Sequence, residues 1–104
     1  MIHIEIKKQD GRICRLTSKG HAGYDDIGKD LVCAGISSIL FGALNGLDEM
    51  FAADVKLDVN QNRIQIDVCN DSEDLQNTLQ FLVIQLKTVE QRFPEFVKIV
   101  QKEV

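Results

Sequence analysis

Two side chains in this sequence suit covalent chemistry, a thiol at Cys33 and an imidazole at His21, twelve residues apart. A thiolate attacks carbonyl carbon, and an imidazole accepts and returns the proton that such a reaction moves. Cys33 is expected in the first turn of a helix that opens near Lys29, with Asp30 as its N-cap. Backbone N–H groups there lack intrahelical partners and the helix dipole is positive, which favours a thiolate. Ser37 follows four residues later on the same helical face and can donate a hydrogen bond into the site. His21 stands in residues 19–28, KGHAGYDDIG, which hold three of the seven glycines and few apolar anchors. A loop of this length can fold back to bring imidazole to sulfur, and its glycines suit a lid that closes on substrate.

Each residue also has a plainer role. A cysteine in an apolar helix is commonly a small core residue. A histidine among glycines is commonly just solvated, and Asp30 serves equally as a simple cap. Cys14 and Cys69 fall on predicted strands and read as structural. The three cysteines show no CxxC spacing, which excludes a zinc ribbon or thioredoxin-type site. Asp25 and Asp26 with His21 form a weak metal-ligating group without defined geometry, so neither metal nor cofactor is expected. His3, on the solvent side of a strand, carries no argument.

The elements that must position these residues follow from periodicity. Ile2, Ile4 and Ile6 alternate with His3, Glu5 and Lys7, the pattern of a half-buried strand. Asp10-Gly11 predicts a type I′ hairpin turn, and 12–18 is the return strand with Cys14 and Leu16 inward. From Lys29 to Phe51 apolar residues recur at helical spacing on most sides. Val55, Leu57 and Val59 alternate, Asn60-Gln61-Asn62 is a turn, and 63–69 returns with Ile64, Ile66 and Val68 inward. Asn70-Asp71-Ser72 supplies capping side chains. A second helix covers 72–92, with Leu75, Leu79, Leu82, Leu86, Val89 and Phe93 as its stripe, and Pro94 stops it. The tail from Glu95 makes a last strand. The order ββαββα, then β, predicts an α+β fold: a mixed sheet of two hairpins with both helices packed on one face.

With 104 residues the chain is read as one domain, 1–104. Twelve basic and 16 acidic residues give a net charge of −4, an argument against direct nucleic-acid contact. The 17 residues from Leu31 to Leu47 carry no charge. Their glycines, serines and Asn45, bracketed by acids, favour a buried central helix over a membrane span. A two-helix layer does not easily cover a helix apolar on most sides, so a homodimer with 29–51 in the interface is expected. The unpaired cysteine count and the absence of a signal-like start point to the cytoplasm.

The stretch GHAGYDDIGKDLVCAGIS closely resembles the signature of the bacterial ribosomal-processing cysteine proteases, the Prp family. The resemblance covers nearly the whole chain, including SILFGALNGL and the second helix ending near a proline. It implies that His21 is the catalytic histidine and Cys33 the nucleophile, with Gly20, Asp30 and Ser37 as supporting positions. It implies a homodimeric endopeptidase that trims the N-terminal extension of large-subunit ribosomal protein number twenty-seven, cutting after the second Phe of a Leu-Gln-Phe-Phe-Ala-like segment. The loop YDDIG varies within the family, so no role is carried over to Tyr24, Asp25 or Asp26. The competing reading is a non-catalytic ribosome-associated binding module whose cysteine is structural.

Overall fold

The structure is a computed structural model that describes residues 1–20 and 27–104, the side chains of 27–30 excepted. Strands β1 (Ile2–Gln9) and β2 (Arg12–Lys19) form the first hairpin. Asp10 and Gly11 both adopt positive φ, 53° and 76°, as a type I′ turn requires. Ile2, Ile4 and Ile6 are buried, as their alternation predicts. The return strand departs from prediction at Cys14. A β-bulge opposite Lys7 and Lys8 inserts one extra residue, so Arg15 pairs with Lys7 and Ile13 with Lys8. The bulge turns Ile13 inward in place of Cys14, and Ile13 and Leu16 become the core pair. The half-buried Cys14 thiol donates to the Lys7 carbonyl at 3.4 Å.

Helix α1 (Ile27–Phe51) begins earlier than the sequence suggests. Gly28, read as loop, lies within its first turn. A helical glycine costs about 1 kcal/mol relative to alanine, which the burial of a 25-residue helix readily offsets. Val32, Ile36, Leu40, Leu44 and Leu47 form its buried stripe. The segment Leu31–Phe51 is long and apolar enough to cross a membrane, with mean hydropathy 1.5, yet its buried stripe packs into the core of the sheet. Only 28% of that segment is buried, which leaves much apolar surface outward.

The second hairpin, β3 (Val55–Val59) and β4 (Arg63–Val68), joins the first through antiparallel β2–β4 pairing. Helix α2 (Glu73–Arg92) starts at Ser72, whose Oγ accepts the Leu75 N–H at 3.1 Å. Leu75, Leu79, Leu82, Val83 and Leu86 are buried. After Pro94 the chain re-enters the sheet as β5 (Val97–Glu103), parallel to β1. The five strands run β3-β4-β2-β1-β5, and the core lies between one face of this mixed sheet and the two helices. This is the α+β architecture expected from the element order.

A side-chain clamp ties the bulged hairpin to α2. Gln76 Oε1 accepts the Ile13 N–H at 2.9 Å, and its Nε2 donates to the Ile13 carbonyl at 2.8 Å. The same Nε2 reaches Asp71, which also pairs with Arg12, and Arg12 bridges to Glu73. Gln76 thus satisfies both backbone groups of the residue beside the bulge, where ladder bonding is interrupted.

Candidate active site

The site begins where β2 ends. Gly20 has φ +99°, and a Cβ placed there would stand 2.6 Å from the Met1 carbonyl oxygen. Both the conformation and the close approach require glycine. The Gly20 N–H donates to the Asn62 carbonyl at 3.3 Å, which links the start of the 20–26 connection to the β3–β4 turn. Gly20 therefore fixes the direction in which the chain leaves the sheet toward position 21.

Cys33 is half-buried on α1 and packs against the core cluster. It is the seventh residue of the helix, so it does not lie in the first turn, and Asp30 is inside that turn rather than capping it. The free N–H groups of the helix start belong to residues 27–30, about one turn ahead of Cys33. Dipole stabilisation falls off within the first turn, so the helix end is a weaker source of thiolate than the sequence implied. Side chains on a helix lean toward its N-terminus, which directs the Cys33 side chain back over the turn carrying those donors.

Ser37 is half-buried one turn beyond Cys33, on the same face. It lines a groove of about 120 Å³ with Ile36, Leu40 and Phe41 of α1 and with Gly20, Val59, Asn62 and Ile64 of the sheet and its connections. The lining combines apolar side chains of α1 with polar ones of the β3–β4 turn. Ser37 places the groove one helical turn beyond Cys33 along α1, and Gly20 lines it where β2 ends.

The structure thus gathers Gly20, Ser37 and the Cys33 face of α1 at one end of the sheet. His21, residues 21–26 of the loop expected to act as a lid, and the weak metal grouping of His21, Asp25 and Asp26 lie outside the described residues, as does the Asp30 side chain, while positions 27 and 28 belong to α1. Sequence reasoning missed the contribution of residues 59–64. Asn60-Gln61-Asn62 reads as an ordinary polar turn, and no local pattern announces that its carbonyl will meet Gly20, 42 positions away. The other thiols are apart from this site: Cys14 at the bulge, and exposed Cys69 at the far end of β4.

Ser37 and Gly20 thus line one groove at the end of the sheet, with Cys33 one helical turn before Ser37. The comparisons agree in sequence and in fold. Residues 1–98 match the family described as cysteine protease Prp. The ribosomal processing cysteine protease Prp of Staphylococcus aureus is 30% identical over 103 residues, covering 95% of this chain and 97% of the relative. The crystal structure of the essential ribosomal processing protease Prp from S. aureus in complex with a substrate peptide superposes with TM-score 0.84 at 27% identity, over 98% of this chain and 100% of the other. A second S. aureus structure, with a covalently linked product peptide, superposes with TM-score 0.83 at 28% identity over the same shares. The chain belongs to the Prp family of cysteine proteases.

Proposed function

We propose that this protein is a ribosomal-processing endopeptidase that cuts through a Cys33–His21 dyad. The observation that supports the reading is the groove lined by both Ser37 and Gly20, with Cys33 one helical turn before Ser37 on α1 and Gly20 immediately preceding His21 in the chain. Cys33 thiolate adds to the scissile carbonyl carbon, and the oxyanion is held by backbone N–H groups of the helix start. His21 imidazolium protonates the leaving amine as the C–N bond breaks, leaving a thioester on Cys33. A water molecule, deprotonated by His21, hydrolyses the thioester and regenerates the thiolate. Ser37 is placed to hydrogen-bond substrate in the groove. Asp30, now inside the first helical turn, is assigned to orienting His21 rather than to capping.

The substrate is the N-terminal extension of large-subunit ribosomal protein number twenty-seven, cut after a Phe-Phe segment. The apolar groove lining of Ile36, Leu40 and Phe41 suits such residues. The chain works in the cytoplasm as a homodimer, and the exposed Leu31, Phe41 and Met50 of α1 with Phe81 and Ile84 of α2 offer an apolar surface for the second copy. The test is incubation with a peptide carrying the Phe-Phe-Ala segment. Wild type releases a fragment ending in Phe, and folded Cys33→Ala releases none. Cleavage by folded Cys33→Ala would return the cysteine to a structural role and overturn the dyad, and no cleavage by wild type would restore the binding-module reading.

A further inference from the structure

The acidic total of the chain hides a cationic face. The sheet surface opposite the helices is built of cross-strand rows fixed by the register. One row sets Lys98, His3, Lys19 and Arg63 side by side across four strands. Another sets Lys102, Lys7, Arg15, Asp67 and Lys56 across all five. Between them run Val100, Glu5, Thr17, Gln65 and Asp58. This face carries seven of the chain's 12 lysines and arginines and three of its 16 acids, a surplus of four positive charges in a chain whose total is −4. Each of the three acids is engaged: Glu5 with Lys102 at 3.1 Å, Asp58 with Arg63 at 2.8 Å, and Asp67 with Arg15. Among the described residues, Lys19, Lys56 and Lys98 have no carboxylate in salt-bridge reach. The middle of the face is concave, a hollow of about 670 Å³ reaching from Lys7 to Arg63.

We infer that this face binds a single strand of RNA through its phosphates. A protein partner would need exposed apolar or aromatic anchors, and among the described residues of this face the only exposed large apolar side chain is Val100, 38% exposed, Ile4 being buried. A phosphodiester strand needs what the face has: several cations in rows, with Thr17 and Gln65 as neutral hydrogen-bonding side chains between them and the intervening Glu5 and Asp58 already paired with Lys102 and Arg63. Without aromatic platforms for stacking, the contact is sequence-independent. Glu5, Thr17 and Gln65 place acceptors along the hollow for a ribose 2′-hydroxyl, the group by which a protein distinguishes RNA from DNA. Arg63 lines both this hollow and the groove beside Ser37, so a strand on the sheet would hold the enzyme next to RNA while a peptide occupies the site. The choice of RNA rests partly on the ribosomal-processing reading; the cationic face itself does not.

The experiment is fluorescence anisotropy of a labelled oligouridylate long enough to cross five strands, titrated with the full chain at increasing KCl. Four surplus charges predict a slope of log affinity against log salt of about −3. Lys7→Gln with Lys98→Gln should reduce that slope by about half, and Lys7→Glu with Lys98→Glu should bring it near zero, weakening binding at low salt by about tenfold or more. The same slope in the double glutamate variant would overturn the proposal, as would no binding by wild type at low salt. Equal affinity for oligothymidylate would reject RNA as the occupant. Competition by polyglutamate, charge for charge, would reassign the face to acidic protein. Binding requires no cleavage, so this result and the protease test fail separately.

Discussion

At the scale of single residues, the account turns on Cys33 and Gly20. Cys33 is half-buried against the core, and its replacement by alanine should cost about 1 kcal/mol or less while abolishing turnover. Urea unfolding beside a peptide-cleavage assay separates the two effects. Gly20→Ala should do more damage than an exposed position suggests. Its Cβ would strike the Met1 carbonyl in a backbone conformation that L side chains rarely adopt. We expect a loss of about 1–3 kcal/mol in stability, together with a fall in kcat as the residue after it is displaced. An unchanged urea midpoint and kcat would show that the β2 exit does not position His21. The candidate reacting residues stand out in the sequence, because GHA and VCAGIS are distinctive strings, and the proposed roles of His21 and Cys33 rest on them. Their electrostatic setting was not. Placing the helix start near Lys29 put Cys33 among the free N–H groups, whereas the helix begins at Ile27 and leaves those donors one turn ahead.

At the scale of elements, alternation and capping chemistry made most strands and α2 readable, and the two departures have local causes. One is the bulge, which exchanges Cys14 for Ile13 in the core and depends on cross-strand register that a single strand does not reveal. The other is the early start of α1, where tertiary burial overrides the preference of Gly28. The clamp around Gln76 holds the bulge, so Gln76→Ala should destabilise the protein by about 1–3 kcal/mol through unpaired Ile13 backbone groups, measured as a lower urea midpoint. The same network carries a pH dependence. Hydrogen bonds from Arg12 and then Gln76 hold the Asp71 carboxyl below its ordinary value of 3.8. A carboxylate with a lowered folded-state pKa contributes stability above its unfolded value, and that contribution is lost as pH falls through the folded value. The urea midpoint should therefore decline below about pH 4, and Asp71→Asn should flatten that part of the profile. An unaltered acid limb in Asp71→Asn would remove Asp71 from the acid response.

At the scale of the whole molecule, the two faces differ in chemistry. The outer side of the helices carries exposed Phe41, Met50, Phe81 and Ile84, and a shallow apolar groove of about 130 Å³ between α1 and α2 is lined by Leu47, Met50, Phe81 and Leu82. Sedimentation at micromolar concentration should give a dimer, and Met50→Lys with Phe81→Lys should give a monomer with an intact fold. A wild-type monomer would leave this apolar surface without its proposed cover. The apolar surface of α1 was visible in its charge-free run, but the contribution of α2 to that surface was not. The segregation of charge between faces was also hidden, since only register brings Lys98, Lys19 and Arg63 into one row.

The central claim is that Cys33 is activated by His21, and the rate of Cys33 alkylation by iodoacetamide as a function of pH tests it most directly. Exposed Cys69 is the internal reference, because accessibility alone favours it over half-buried Cys33. An unperturbed thiol ionises near about pH 8.5. In wild type, Cys33 should react faster than Cys69 at about pH 6, where ordinary thiols are protonated. In His21→Ala that advantage should disappear, because Cys33 lies beyond the helical turn whose free N–H groups would otherwise sustain a thiolate. Equal Cys33 alkylation rates in His21→Ala and wild type across this range would contradict the dyad.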